Sequence, residues 1–318
     1  MQDAKYPTLH PDFLCAYADF VKKNGASFHM ALFWRGQSLI GYVPFEMKNI
    51  FILKRLVVSL PIQMQSHESY IDLLELFIQT SSNWRTRIVF RTHPRDIFQT
   101  VSTDLLIKKH AIIVPFVTHI VENADRLGKT TRQVLQKIEK KYTVNTTFNR
   151  ELFDTYFSAC FVESRKRKTV HEGNAEREYY FTFYSSLIHS GLGMLVTIQN
   201  KEGQIVSGYF VVKDAGICIH LHGATSNEGV RNHAGYANCK ALIDWCVEHG
   251  YIFDLFGAFK NMRADVYGDN TYSFKRKWGK EISIPQYILE PGYLRMIEKV
   301  VVPLFVGYKK LFRYLRRI

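Results

Sequence analysis

Three things are scarce in this sequence, and each scarcity removes a class of protein. No apolar run approaches the roughly 20 residues that a helix needs to span a bilayer, so a membrane-embedded protein is not expected. Cysteine is limited to Cys15, Cys160, Cys218, Cys239 and Cys246, an odd number with no C-x-x-C pair. That excludes a disulfide framework, makes a zinc site improbable, and reads as reduced structural thiols. Acidic residues are outnumbered, 29 against 42 basic ones, giving a formal charge of +13. Such an excess calls for an anionic partner: an acidic substrate, a nucleic acid or an anionic membrane surface. The first residues, Met1 to Lys5, lack the apolar region of a secretory signal, so a cytoplasmic address is expected. What is present in quantity is core material. Hydrophobic residues make up 47% and aromatics 14%, which excludes a disordered chain and suffices for two modest cores or one large one.

In chain order, Pro11 opens a helix to about Lys23, with Phe13, Leu14, Tyr17, Phe20 and Val21 on one side. Phe28 to Phe33 and Ser38 to Phe45 read as strands joined by a hairpin at Trp34 to Gln37, and Pro44 is expected to end the pairing or mark an edge. Phe51 to Leu60 is a strand, Ser69 to Gln79 a helix and Arg87 to Arg91 a strand. Later helices are expected over Thr130 to Tyr142, Phe153 to Ser164 and Glu178 to His189. The first run is an α+β lobe of ordinary domain size. An internal echo indicates a second. Gly36-Gln37-Ser38-Leu39-Ile40-Gly41-Tyr42 recurs as Gly203-Gln204-Ile205-Val206-Ser207-Gly208-Tyr209, four identities in seven, each at a hairpin between apolar strands. The expected division is residues 1–124, 125–290 and a tail, 291–318. The tail is basic and amphipathic, able to lie on an anionic membrane or to dock on the body.

The stretch from Ile217 to Gly257 organises the rest. It reads as strand (217–222), loop (223–236), helix (237–249) and strand (252–256). In the first strand Ile217, Ile219 and Leu221 alternate with Cys218, His220 and His222, giving two unlike faces. A loop of small residues feeding a helix N-terminus presents unpaired N–H groups and the positive end of the helix dipole, a setting for an anion. Gly128-Lys129-Thr130 is not a P-loop, because the position five before Gly128 is Asn123 rather than glycine.

This block resembles the core of the GNAT acyltransferase fold, where strand, a loop of the form Gln/Arg-x-x-Gly-x-Gly/Ala, helix and splayed strand follow in this order. Asn232, Gly235 and Ala237 match that form, with Asn in the place of Gln or Arg. More narrowly, the chain is similar to the Fem-type (FemAB-like) branch. An Asp near the end of the splayed strand (Asp254) is followed by a Phe-Lys pair and an aromatic-Gly pair (Phe274-Lys275 and Trp278-Gly279). The likeness runs from about Phe28 to Leu289.

The resemblance implies two tandem GNAT-like lobes, α+β, with mixed, splayed central sheets flanked by helices and the donor site in the second lobe. It implies an N-acyltransferase taking an acyl group from acyl-CoA, acetyl-CoA above all, to an amine of a cell-envelope sugar or peptide precursor. Asn232, His233, Ala234, Gly235, Tyr236 and Ala237 would hold the donor's pyrophosphate. Lys275 would face the charge that grows on the carbonyl oxygen. His222 and Asp254 are the candidate proton acceptors, with Glu163 a third, and deprotonation assisted by the substrate is equally compatible. Phe274, Arg165 and Arg167 would contact substrate, although the run Arg165 to Lys168 also serves as a solvated helix end. Two other functions stay open. Aminoacyl-tRNA could be the donor for a peptidoglycan bridge, which suits the charge, although no long coiled-coil arm is evident. A basic scaffold of the same fold could bind membrane or nucleic acid without turnover. No metal is expected.

Overall fold

The echoed hairpins open two β-sheets. The computed structural model describes residues 7–50, 53–64, 70–83, 85–91, 112–114, 116–122, 127–167, 174–259, 269–284 and 286–289. In the first sheet, β1 (Ser27–Arg35) turns through Gly36-Gln37 into β2 (Ser38–Ile50). Gly36 has φ +61°, a left-handed conformation that a two-residue hairpin turn needs and glycine supplies without strain. In the second, β9 (Gly193–Gln199) returns as β10 (Ile205–Asp214), and Gly203 has φ +77° at that turn.

The described residues divide into two compact units that interleave along the chain, one holding 7–28 and 116–284, the other 29–91, 112–114 and 286–289. The linear division at 124 and 290 read from the sequence follows the echo but not this interleaving, in which N- and C-terminal segments cross between units.

The second unit's sheet runs β1-β2-β3-β5-β15-β6, with β3 (Leu53–Val58), β5 (Thr86–Arg91), β6 (Ile112–Val114) and β15 (Gln286–Leu289), while β4 (Gln63–Met64) pairs β2. Helix α2 (Tyr70–Ser81) connects β3 to the parallel β5 and buries Leu73, Leu74, Phe77 and Ile78 against Leu56, Val58, Ile88 and Phe90. Pro44 lies inside β2 rather than ending it. On that side of the strand, Gly41 and Tyr42 pair β4 and Glu46 to Ile50 pair β3, so Pro44 falls in the interval between partners, where a missing N–H breaks no pair.

The first unit repeats the plan. Its sheet runs β13-β7-β12-β11-β10-β9-β8, with β7 (Phe116–Val121), β8 (Thr143–Asn145), β11 (Ile217–Thr225), β12 (Ile252–Asp254) and β13 (Ala258–Phe259), while β14 (Lys280–Ser283) pairs β7. Strands β9, β10 and β11 are antiparallel, and β11 pairs β12 in parallel across a crossover helix, as β3 pairs β5.

Helices cover both faces of this sheet. The crossover helix (Ala234–Glu248) presents Cys239, Leu242, Ile243 and Cys246 to Tyr209, Val211, Cys218 and Phe253. On the opposite face lie α1 (Pro11–Lys23), a helix continuous from Arg150 to Arg167 with a π-type stretch at Phe157–Val162, and the helix Asn174–His189. Aromatic rings fill this side; Tyr184 stacks on Phe210 with centroids 3.7 Å apart. The segment expected as one loop, 223–236, is mostly regular: β11 extends to Thr225, a short helix spans Asn227–Arg231, and the crossover helix starts at Ala234 rather than Ala237. Ser226 caps the short helix through the Gly229 N–H, a local signal that the glycines had obscured. The tail expected from 291 to 318 lies outside the described residues.

Candidate functional site

The two parallel strands of the first unit separate. Pairing of β11 with β12 covers Ile217 to Ile219 against Ile252 to Asp254 and stops, although β11 continues to Thr225. In the other sheet the equivalent pair stays closed over five positions, Lys54 to Val58 against Thr86 to Phe90.

Both departing chains have an identifiable cause. On β11, Phe210 faces His222 and Val211 faces His220, leaving Leu221 as an extra residue in a β-bulge, which bends the strand. Beyond β12, Phe256 takes a left-handed φ of 57°, and the Asp254 carboxylate accepts the Phe256 N–H at 2.7 Å. The Asp254 side chain thus holds the chain in its turn away from β11.

The bulge also redistributes the side chains. Strict alternation puts Cys218, His220 and His222 on one face, but the extra residue separates the two histidines. His220 lies on the crossover-helix side, stacked on Tyr209 with centroids 4.4 Å apart. His222 lies on the opposite side, among Tyr180 (5.2 Å), Tyr184 (5.8 Å), Phe183 (6.2 Å) and Phe20 (6.3 Å). Both His220 ring nitrogens and His222 Nδ1 are shielded from solvent and lack a well-formed hydrogen bond. Burial, then the positive Lys275 and His222, lower the His220 pKa to about 3, with the backbone at Leu255 and His222 opposing. Burial and then Arg165 lower that of His222 to about 4.

A stability loss in mild acid follows. Unfolded histidines take up protons near pH 6.5 while these two stay neutral, so between about pH 6.5 and pH 4 the unfolded chain binds more protons. Their contribution is complete above that window and is lost as pH falls, by up to ~1.4 kcal/mol per pH unit for each ring. Calorimetric melting from pH 7.5 to 4.5 is expected to show a falling Tm, less steep in His222→Phe. An equal slope in that variant would show that His222 does not carry its share.

Lys275 and Asp254 meet at the corner beyond β12. Lys275 ends the helix Asp269–Lys275, is 7% exposed, and donates from Nζ to the Phe256 carbonyl at 3.0 Å and the Gly257 carbonyl at 3.3 Å. Asp254, 2% exposed, also accepts the Thr118 hydroxyl at 2.5 Å. Burial raises its pKa, and Thr118, the Phe256 N–H and Lys275 pull it back down. Lys275 acts electrostatically on His220 and Cys239 as well. The structure therefore brings together Lys275, Asp254 and His220, a residue that alternation had grouped with His222. It does not bring His222 to them. The missed signal was two histidines and a glycine, His220-Leu221-His222-Gly223, crowded into one strand end.

The other expected residues have definite places. Phe274 packs on Tyr236 (5.2 Å) and Trp278 (5.8 Å), beside the start of the crossover helix. Arg167 donates to Asn227 Oδ1 (2.6 Å) and to the Thr225 carbonyl (2.5 Å), and Glu163 accepts the Asn227 N–H at 2.7 Å, so both tie their helix to the end of β11. Arg165 reaches the Tyr180 hydroxyl at 3.4 Å, on the His222 side.

At the crossover helix, His233 occupies the N-cap with φ 63° and makes no side-chain cap bond. The first-turn N–H groups there lack the usual side-chain acceptor. Asn232 points its carbonyl to the Tyr142 hydroxyl (2.7 Å), and Lys277 donates to the Tyr236 hydroxyl (2.8 Å), placing an ammonium beside the first turn. A Cβ on Gly235 would come no nearer than 3.4 Å to the Tyr209 hydroxyl, so the turn is not obstructed by packing. An uncapped turn, a nearby cation and a parted strand pair fit a polyanionic carrier that bears a carbonyl. Among the described residues no group of three or more metal-ligating side chains occurs, and no helix is long and apolar enough to cross a membrane.

No protein-family model matches the sequence, and no curated protein matches it. Solved structures do match in fold. The crystal structure of FemX superposes with a TM-score of 0.66 at 13% identity, covering 92% of this chain and 96% of that one. The structure of L-PGS from Bacillus licheniformis gives 0.56 at 16% identity, covering 93% and 96%. A tandem GNAT protein from the clavulanic acid biosynthesis pathway gives 0.54 at 10%, covering 87% and 93%.

Proposed function

We propose, from the premise that this chain has the Fem-like tandem GNAT fold, that it is an N-acyltransferase acting on a cell-envelope precursor. The observation that carries the reading is the parting of β11 from β12 after Ile219, with buried Lys275 held at the corner where they diverge. A thioester or ester carbonyl entering there would develop negative charge next to an ammonium in a site shielded from water, where electrostatic stabilisation is strongest.

The favoured donor is acyl-CoA, acetyl-CoA above all. The first turn around Ala234, Gly235, Tyr236 and Ala237, entered through Asn232 and His233, would hold its pyrophosphate. This donor site lies in the compact unit that holds residues 7–28 and 116–284. The acceptor would be an amine on an anionic, lipid-linked sugar or peptide, and likeness in fold to the C-terminal domain of a protein described as a putative lysylphosphatidylglycerol synthetase supports work at a lipid surface. We place that work in the cytoplasm, peripheral to the inner face of the membrane. Asp254 positions the corner, and Arg165, Arg167 and Phe274 would border the acceptor.

The +13 charge favours a second reading, in which aminoacyl-tRNA is the donor. Thermal stabilisation by coenzyme A, and none by uncharged tRNA, is expected. Tight tRNA binding that weakens steeply with salt, together with indifference to coenzyme A, would transfer the assignment to the second reading. Liposome binding without amide formation from any donor would leave only a scaffold.

A further inference from the structure

We propose that His220 is a catalytic residue that donates a hydrogen bond, as a neutral imidazole, to the carbonyl oxygen of the acyl donor, and this rests on the transferase reading above. A neutral imidazole always carries one N–H, and in His220 both ring nitrogens are buried with only poorly formed contacts, toward the backbone at Leu255 and at His222. A buried donor so incompletely satisfied costs free energy in the empty protein and calls for an explanation. An incoming acceptor atom supplies one.

The position fits. His220 is the first residue of β11 beyond the last paired one, Ile219, so it stands where the strands begin to part. Its ring is wedged between Tyr209 and Gly223: a methyl on Gly223 would lie 2.5 Å from His220 Nε2 and 2.9 Å from Tyr209 Cδ1. Gly223 itself is exposed, so Nε2 lies one layer beneath the surface. Glycine at 223 therefore makes room for the ring and leaves a thin cover over it.

The titratable groups on this side of the sheet are Lys275 from the helix ending there, Asp254 at the end of β12, Cys239 from the crossover helix, Tyr209 from β10 and His222 on the same strand, and of these Lys275 and His222 favour the neutral ring. Lys275 lowers the His220 pKa, and the value of about 3 leaves the ring uncharged throughout the physiological range. A neutral ring beside a lysine polarises a carbonyl without having to lose or gain a proton.

In the reaction the amine lone pair attacks the carbonyl carbon and forms the C–N bond, while the carbonyl π pair moves onto oxygen, held by the His220 N–H beside the Lys275 charge. When the carbonyl re-forms, the carbon–sulfur bond (carbon–oxygen in an ester) breaks and its electron pair leaves on that atom. The leaving atom takes the proton lost by nitrogen. Amide and free thiol or alcohol are the products.

The test uses the full chain with acetyl-CoA or alanyl-tRNA as donor, and glucosamine or a lysine-containing peptide as acceptor, with amide formation read by mass spectrometry. His220→Leu is expected to lower kcat by about 100-fold with little change in KM. His220→Gln, which keeps an N–H, is expected to recover part of that loss, and exposed His249→Asn to change nothing. If His220→Leu does not fold, Gly223→Ala keeps the imidazole but displaces it, and a fall in kcat of about tenfold is expected from misplacement. Wild-type kcat is expected to show no limb near pH 6.5 that the Gln variant lacks. A folded His220→Leu, or Gly223→Ala in its place, with undiminished kcat overturns the assignment while leaving the transferase reading standing. So does a titration near pH 6.5 that disappears with the histidine. No amide from wild-type protein with any pair removes the transferase reading, and this proposal with it.

Discussion

Lys275→Met is expected to lower turnover by about 100-fold and to destabilise the protein without unfolding it. Two separable losses are involved. On the proposed mechanism the first is catalytic: the ammonium beside the mouth of the parted strands disappears, while methionine fills a similar volume. The second is structural. Nζ donates to the Phe256 and Gly257 carbonyls, and its charge offsets the burial of Asp254. Removing it leaves two carbonyls short of a donor and a buried carboxylate without its cation, a loss of about 2 kcal/mol. Asp254 would then hold its proton more tightly than it does now. A carboxyl whose folded pKa is raised makes the folded state bind more protons, so stability is present at low pH and is lost as pH rises. Lys275→Met should therefore be less stable at pH 8 than at pH 5 relative to wild type. Adding Asp254→Asn should return most of the stability and none of the turnover. Recovery of both together would make Lys275 a structural cation only.

The sequence disclosed the plan of the molecule better than its corners. The echo at Gly36 and Gly203 marks a hairpin in both sheets, because each turn, two residues long in one and five in the other, uses the left-handed conformation that glycine provides. The strand, helix and strand from Ile217 to Asp254 were legible for the same reason: period-2 and period-3.6 burial leave their mark on composition. The bulge at Leu221 was not. One extra residue changes no composition, yet it reverses the face of everything after it, so His222 went to an aromatic cage on one side of the sheet and His220 to the crossover-helix side. The crossover helix began three residues earlier than expected because three glycines masked a short helix whose Ser226 cap was the readable signal. Lys275 and Asp254 were singled out through the family resemblance, but the carbonyls that Lys275 binds belong to a left-handed turn at a phenylalanine, which no local rule anticipates. Arg167 was read as a substrate contact from its charge. Its partners, Asn227 and the Thr225 carbonyl, are about 60 residues away in sequence, and such pairings are set by the fold.

Gly279→Ala should be among the most destabilising single-methyl changes in the protein. Gly279 follows buried Trp278 and immediately precedes β14, whose first residue, Lys280, pairs Ile120 of β7. A Cβ there would stand 2.5 Å from the Ile120 carbonyl oxygen, 2.8 Å from its carbon and 2.9 Å from Val121 Cγ2. Two of those atoms are backbone, and every residue of β7 is buried, so no flexible side chain can yield. The strand is also the hub of this end of the sheet, pairing β12, β13 and β14. The methyl must therefore push β14 off β7 or displace Trp278. Overpacking against backbone costs about 3 kcal/mol, which in a unit of this size corresponds to a Tm lower by about 6–12 °C. The site would move as well. Lys275 precedes Trp278 by three residues, the Trp278 N–H bonds the Lys275 carbonyl at 3.1 Å, and a shift of Trp278 draws Lys275 Nζ from the two carbonyls it holds. Thermal melting and amide formation measured on the same preparation check both effects: a variant that melts like wild type would show that β14 gives way without cost. The aromatic-glycine pair would then need a reason other than the fit of this turn against β7.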